Sequence, residues 1–178
     1  MRALAERIEL SRINLIRHTP QDAEEIFYAY ASKPEVTRFM AWKTHETLSD
    51  TRMFLRWASM TWENHSQFAY AVRMRNTGRL IGGCGCTQQD GLFQVGYIFS
   101  PSVWGNGFAT EACIGLVAEV KANPAARKIT SFVDVENIPS LRVLEKSGFV
   151  RNERVAEYFT AVNQNGLKKD AWLFHYPF

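Results

Sequence analysis

Trp104-Gly105-Asn106-Gly107-Phe108-Ala109-Thr110-Glu111-Ala112 is the stretch on which the reading of this chain turns. It follows the apolar run Val95-Gly96-Tyr97-Ile98-Phe99 and opens the run Cys113-Ile114-Gly115-Leu116-Val117-Ala118-Glu119-Val120. A strand that feeds a helix through small residues builds an anion site. The first N–H groups of a helix have no partner inside it, and its dipole puts positive potential there. Glycines let a phosphate approach the backbone without meeting a Cβ. A ligand carrying phosphate is therefore expected at this turn.

Working upstream, residues 92–99 form the third strand of a meander. Asp90-Gly91 is a hairpin signal. Residues 79–87 form the second strand, and its Gly82, Gly83 and Gly85 point to a bulge or a close backbone approach. Phe68, Tyr70, Val72 and Met74 alternate with Ala69, Ala71 and Arg73 in the first strand, and Asn76-Thr77-Gly78 makes the turn after it. A helix is expected over about residues 48–64, with Phe54, Trp57, Ala58 and Thr61 as its apolar stripe and Trp62 beside it. Another begins at Thr19-Pro20-Gln21-Asp22, with a threonine N-cap, proline at the first helical position and an acid in the first turn. Ala23, Ile26, Phe27 and Tyr30 share its apolar face, and Pro34 closes it. Residues 8–18 read as one strand.

Downstream, the helix over about residues 107–122 leads through Asn123-Pro124 to a strand over 128–135. This strand–helix–strand unit makes its two strands parallel and right-handedly connected. A short helix follows over about 139–146 and ends at Gly148 in a C-cap position. Residues 149–159 and 168–176 read as a closing hairpin around Asn165-Gly166. No repeat, low-complexity segment or linker interrupts the chain. The expected fold class is α/β of the α+β kind: one domain over residues 1–178, with a mixed, mostly antiparallel sheet of about six to seven strands and helices on both faces.

The composition fits that reading. With 178 residues, 46% of them hydrophobic and 22% charged, the chain can bury a full core and is not disordered. Aromatic residues at 13% are mostly core, with some available to line a pocket. The net charge of +3 suits an anionic ligand but falls short of a nucleic-acid binder's basic stripe. No apolar run reaches the roughly 18 residues of a membrane span. Met1-Arg2-Ala3-Leu4-Ala5-Glu6-Arg7 lacks the apolar middle of a secretory signal. The three cysteines, Cys84, Cys86 and Cys113, form no disulfide framework. Cys84 and Cys86 share a strand face and read as small buried residues, because further metal ligands at a familiar spacing are missing. His18, His45, His65 and His175 form no cluster. A soluble, cytoplasmic protein without metal, membrane or nucleic-acid partner is expected.

Three phosphate motifs compete for the glycine turn. A P-loop needs Gly-Lys-Ser/Thr, and here Phe108-Ala109 follows Gly107. A dinucleotide fingerprint needs a third glycine where Thr110 stands, and a repeated parallel sheet around it. The better match pairs Gly105-Asn106-Gly107-Phe108-Ala109 with two later segments, Asn137-Ile138-Pro139-Ser140 and Glu145-Lys146-Ser147-Gly148-Phe149. This combination resembles the GNAT superfamily of acyl-CoA-dependent N-acyltransferases. Trp-Gly-x-Gly-Phe-Ala-Thr-Glu-Ala with Asn-x-x-Ser and Lys-x-Gly-Phe resembles its RimJ/RimL branch, known for ribosomal-protein N-terminal acetylation. The motifs span residues 95–149, and the order of elements extends the likeness over nearly the whole chain.

The resemblance implies acetyl-CoA as co-substrate. Backbone N–H groups from Trp104, Gly105, Asn106, Gly107, Phe108, Ala109 and Thr110 would hold its pyrophosphate. The strand ending at Tyr97, Ile98 and Phe99 would diverge from the strand over 130–135, splaying the sheet at its centre. Pantetheine would then bond to the open strand groups as an added strand would. Trp104 stands where many relatives carry Gln or Arg, which matters little for a contact made through the backbone.

Acetyl transfer from a thioester needs a neutral amine, a donor for the developing oxyanion and a proton for the leaving thiolate. Asn137 is a helix N-cap, a coenzyme contact by the resemblance, or both. Ser140 matches the family serine near the sulfur, or is simply a first-turn serine. Ala156-Glu157-Tyr158 resembles a RimL-type segment: Glu157 is a candidate base or a solvated carboxylate, and Tyr158 is the alternative proton donor. Strand alternation would turn Glu157 and Tyr158 opposite ways. Glu111 suits the helix dipole. Arg142 and Lys146 share a helix face and either reach the ribose phosphate or are solvated. Phe39 and Trp42 pack in the core or border the acceptor, and Trp42 is the candidate for the acceptor pocket. The expected activity is transfer of acetyl to a primary amine, either a protein N-terminus or a small molecule, in a ternary complex. An acyl-CoA-binding sensor of the same fold is the alternative reading. Relatives of this kind include homodimers.

Overall fold

The structure, a computed structural model, describes residues 3–178; Met1 and Arg2 lie outside the described residues. Eight strands form one sheet, in the order β1-β2-β3-β4-β5-β6-β8-β7. They are β1 (Arg7–Glu9), β2 (Ile13–Arg17), β3 (Gln67–Met74), β4 (Leu80–Gln89), β5 (Leu92–Phe99), β6 (Lys128–Asp134), β7 (Val150–Ala161) and β8 (Leu167–Tyr176). The helices are α1 (Pro20–Asp22, Ala23–Ile26 and Phe27–Ala31 in succession), α2 (Pro34–Thr37), α3 (Leu48–Glu63), α4 (Phe108–Lys121) and α5 (Ile138–Lys146). A short turn, Pro101–Val103, lies between β5 and α4.

The sheet has more strands than the six to seven expected, because residues 8–18 form a hairpin rather than one strand. β1 and β2 pair antiparallel from Arg7↔Ile16 to Glu9↔Asn14. The chain reverses at Ser11 and Arg12, where the Leu10 N–H donates to the Ile13 carbonyl at 2.9 Å. The first helix also differs from expectation. It tightens at its start and widens into a π-turn over Phe27–Ala31, where the Ser32 N–H reaches back five residues to the Phe27 carbonyl at 3.1 Å. It ends there, so Pro34 does not close it. Proline instead takes an early position in α2, where its missing N–H costs nothing.

Alternation along the strands separates two cores. Tyr70, Val72 and Ile81 join α4 and α5 in the larger one. Ala71 and Leu80 face the other way and pack with Ile26, Tyr30 and Leu55 of α1 and α3. Helices therefore cover both faces. The glycines of β4 permit this closeness: a Cβ on Gly85 would sit 2.3 Å from the Phe68 carbonyl, and one on Gly82 2.4 Å from that of Ile98. The buried stripe of α3 is Thr51, Leu55, Ala58 and Trp62, not the expected one. Phe54 and Trp57 sit beside it and turn towards a cavity.

β5 and β6 run parallel, as the strand–helix–strand unit requires, but pair only from Leu92↔Lys128 to Gln94↔Thr130. Beyond Gln94 they separate. β5 stays paired to β4 as far as Phe99, and β6 to β8 as far as Asp134. The closing hairpin inserts β8 beside β6, which leaves β7 at the edge. α5 ends in a Schellman turn. The Phe149 and Gly148 N–H groups bond back to the Leu144 and Glu145 carbonyls at 3.1 Å each, with Gly148 at φ +90°.

Candidate functional site

Gly105 (φ +76°) and Gly107 (φ +78°) take the left-handed conformation that bends the chain from β5 into α4. A Cβ on Gly105 would meet nothing within 4 Å, so the backbone angle rather than crowding demands glycine there. Among the described residues, the N–H groups from Gly105 to Thr110 donate to no protein acceptor. Six such groups around one helix start form a concave donor surface suited to a phosphate. The turn is closed from within. The Trp104 indole Nε1 donates to the Phe99 carbonyl at 2.8 Å, and Asn106 Nδ2 donates to the carbonyls of Val103 (3.2 Å) and Trp104 (3.0 Å).

Arg12 braces the same turn from the β1–β2 hairpin. Its Nη1 donates to the Asn106 carbonyl at 2.9 Å, and its Nε donates to Glu111 Oε2 at 2.7 Å. Its backbone N–H donates to Glu111 Oε1 at 2.7 Å, and its guanidinium lies 4.4 Å from the centre of the Phe108 ring. Glu111 thus serves as an anchor for the hairpin as well as a favourable charge at the dipole. Nothing in the sequence near Arg12 signals this contact, because the partners are 99 positions apart.

The gap between β5 and β6 opens into a cavity of about 410 Å³. Gly96, Tyr97 and Ile98 line it on one side, and Ser131, Phe132, Val133 and Asp134 on the other. Asn137 and Ser140 of α5 close one end, and aromatic side chains of α1, α3 and the intervening loop form the far wall. Ser131 Oγ donates across the gap to the Val95 carbonyl at 2.8 Å, at the point where the strands part.

Inside, the Tyr97 hydroxyl lies 2.9 Å from Ser140 Oγ and 3.0 Å from the Ser140 carbonyl. Burial pushes the Tyr97 phenol well above its ordinary value, against the lowering effect of the Ser140 bond, so it keeps its proton at neutral pH. Asn137 caps α5: its Oδ1 accepts from the Ser140 N–H at 3.4 Å, which fixes the first turn that carries Ser140. The three thiols are buried and free. Burial pushes the Cys113 thiol up to about 11, against a hydrogen bond from Ser147, and pushes the Cys84 and Cys86 thiols up as well. None is a thiolate at neutral pH, so none is a ready nucleophile.

The structure gathers Tyr97, Ile98, Asn137, Ser140 and Trp42 around the cavity. Gly105 to Thr110 form the donor turn; Trp104 is a correction to the expected donors, because its N–H is already on the Pro101 carbonyl at 3.2 Å. Phe99 is buried in the core, and its carbonyl is taken by Trp104. Arg142 is exposed on α5. Glu157 is a correction to the expected site: it does not line the cavity. β7 bulges between Val155 and Phe159, so three residues face Asp170 alone. Glu157 sits on that bulge at φ +50°, exposed, with its N–H on Asp170 Oδ1 at 3.1 Å. The bulge also breaks the alternation expected of Glu157 and Tyr158. Tyr158 does not line the cavity either: it is exposed, its ring 5.1 Å from that of the lining residue Phe132. Among the described residues no three His, Cys, Asp or Glu side chains gather as metal ligands, and no helix is long and apolar enough to cross a membrane.

The acetyltransferase (GNAT) domain profile matches residues 12–150. The uncharacterized N-acetyltransferase YoaA of Bacillus subtilis is 28% identical over 166 residues, covering 92% of each chain. Two solved structures share the fold. One is the Microcin C7 self-immunity acetyltransferase MccE, in complex with acetyl-CoA and AMP (TM-score 0.86, 17% identity, 94% of this chain and 93% of that one). The other is RimL, a ribosomal L7/L12 α-N-protein acetyltransferase, in complex with coenzyme A (TM-score 0.86, 14% identity, 96% and 97%).

Proposed function

This chain belongs to the GNAT acetyltransferase family, and from that membership we propose that it moves an acetyl group from acetyl-CoA to a primary amine by direct attack in a ternary complex. The observation that carries this reading is the parting of β5 from β6 next to a turn of unpartnered N–H groups. In this reading the pyrophosphate sits on the amides of residues 105–110, and the pantetheine arm enters the gap. Its amides bond to the strand groups that β5 and β6 leave open. Asn137 borders the arm, and Arg142 is available to the ribose phosphate. Residues 1–178 act as one acyl-CoA N-acyltransferase domain. Three unbonded thiols suit a cytoplasmic setting.

The chemistry needs no covalent enzyme intermediate when both substrates are held in one cleft. The neutral amine attacks the thioester carbonyl carbon; the C–N bond forms, the C–S bond breaks, and the electron pair leaves on sulfur. Ser140 gives the thiolate a proton, the protonated Tyr97 hydroxyl, 2.9 Å away, replaces it, and Tyr97 regains its own from the cavity water that takes up the amine's proton. The amine's proton leaves to water at the cavity mouth. Glu157, on its exposed bulge, has no part in this scheme. RimL, by its name, acts on a protein N-terminus, which makes that one acceptor class to test beside small amines.

The test is release of coenzyme A thiol across a panel of amines, beside calorimetry with acetyl-CoA. The reading expects turnover with at least one amine, and loss of acetyl-CoA binding in Gly107→Glu, where bulk and negative charge enter the donor turn. Binding without turnover on any amine would make the chain an acyl-CoA sensor instead.

A further inference from the structure

We propose that the acceptor is an aralkylamine: a primary amine carried on a short chain by an uncharged aromatic ring. The proposal rests on the acetyl-transfer reading above and narrows its acceptor.

Three observations support it. The cavity wall opposite the strand gap is a continuous aromatic surface. Trp42 lies 5.1 Å from His45, His45 lies 6.3 Å from Phe54, and Phe54 lies 6.1 Å from Trp57, centre to centre. Two of these rings are incompletely covered at the mouth: Trp42 is 37% exposed and Trp57 46%. Indole surface left open beside a cavity gains most from a flat apolar ring laid against it, through area removed from water and through ring–ring contact.

The second observation is the charge of the lining. Asp134 is the only Asp, Glu, Lys or Arg side chain among the lining residues. An acceptor bearing a carboxylate or a phosphate would meet no Lys or Arg there, and its desolvation would go uncompensated. A polyamine or aminoglycoside would find one carboxylate for several ammonium groups. A single amine on a neutral body fits the lining best.

The third is that the imidazole within this continuous aromatic surface, that of His45, is both engaged and neutral. His45 Nδ1 pairs with Thr51 Oγ1 at 2.8 Å, and burial pushes the His45 imidazole below its ordinary value, against the raising effect of Asp50. It therefore presents a neutral ring face at neutral pH. His18 stands edge-on to Phe54 at 5.6 Å; among the described residues its buried Nδ1 has no hydrogen-bond partner, Asp22 Oδ2 lying 3.7 Å away.

The test compares initial rates for phenethylamine, phenylalanine, spermidine, kanamycin and a peptide with N-terminal alanine. Phenylalanine differs from phenethylamine only by the carboxylate. The expected kcat/KM for phenethylamine is at least about tenfold above each of the others, a difference of about 1.4 kcal/mol. Trp42→Ala and Trp57→Ala should each raise the KM for phenethylamine roughly tenfold without changing the Kd for acetyl-CoA. Trp57→Phe, which keeps a ring, should restore most of the loss. Both tryptophans are exposed, so truncating them leaves the core intact. Equal or better turnover of phenylalanine, spermidine, kanamycin or the peptide, or an unmoved KM in both alanine variants, overturns the acceptor assignment while leaving acetyl transfer standing. No turnover with any of the five overturns the assignment together with the reading on which it rests.

Discussion

At the Tyr97 hydroxyl one proton lies between two oxygens of Ser140. If it goes to Oγ, the serine's own proton is free for the sulfur. Tyr97→Phe removes this support but keeps the ring, so kcat should fall about tenfold with the Kd for acetyl-CoA unchanged; Ser140→Ala should cost nearer a hundredfold. Equal rates for Tyr97→Phe and wild type under single-turnover conditions would remove the relay. Because burial raises the Tyr97 pKa, its ionisation should cause no loss of kcat on the alkaline side up to about pH 10. Asp22 behaves in the opposite sense. Its burial favours the neutral acid, but the adjacent His18 imidazole, with Nδ1 3.7 Å from Oδ2, and hydrogen bonds from the Thr19 amide and Arg73 outweigh that and hold the carboxyl well below the usual carboxylate range. A depressed folded pKa gives stability that is present above about pH 4 and lost as pH falls through the folded value. Asp22→Asn should thus destabilise by about 2 kcal/mol at neutral pH, and the Tm-against-pH curves of the two proteins should converge on acidification. The sequence marks Ser140 by its motif and Tyr97 by its strand, but their hydrogen bond joins positions 43 apart and leaves no local trace.

The glycine turn is legible as an element because its conformational demand is local: two left-handed residues need glycine, and a helix must follow. What holds the turn in place is not local. Arg12 contributes two side-chain hydrogen bonds, a backbone hydrogen bond and a ring contact, all from a hairpin that looks like one strand because its reversal at Ser11 and Arg12 carries no glycine or proline. Arg12→Ala should weaken acetyl-CoA binding about tenfold, by letting the donor turn sample other shapes. Arg12→Lys should not restore it, since an ammonium cannot span Asn106 and Glu111 as the planar guanidinium does. Combining Arg12→Ala with Glu111→Gln should cost little more than either change alone. Additive losses by calorimetry would show that the two side chains act independently. Two other elements hid their roles in the same way. Periodicity placed α3 correctly but rotated its stripe, because Phe54 and Trp57 are apolar for a cavity rather than for the core. The π-turn of α1 depends on one carbonyl, that of Phe27, receiving both the N–H and the Oγ of Ser32, which helical spacing alone does not encode.

The whole molecule is a sheet held firmly at both sides and opened in the middle. β4 binds β5 along its full length, and β8 binds β6 from Ile129 to Asp134, yet β5 and β6 share three residue pairs. The parallel crossover was readable from the strand–helix–strand pattern. The gap was not, because divergence depends on what the neighbouring strands and helices hold apart, and only the family likeness suggested it. The insertion of β8 beside β6 was equally silent, since hairpin signals do not say which arm lies inward. The open strand edges have a measurable consequence. Amides beyond Gln94 on β5 and beyond Thr130 on β6 that point into the gap have no ladder partner, so they should exchange with solvent faster than those of the three paired positions. Coenzyme A should slow them by about tenfold or more once its arm fills the gap, along with the amides of residues 105–110. Adenosine 3′,5′-bisphosphate, which has neither the arm nor the pyrophosphate, should leave the strand amides unprotected. If it protected them as coenzyme A does, the effect would be a general tightening of the fold rather than occupancy of the gap. If coenzyme A protected the turn alone, the arm would have to lie somewhere other than between β5 and β6.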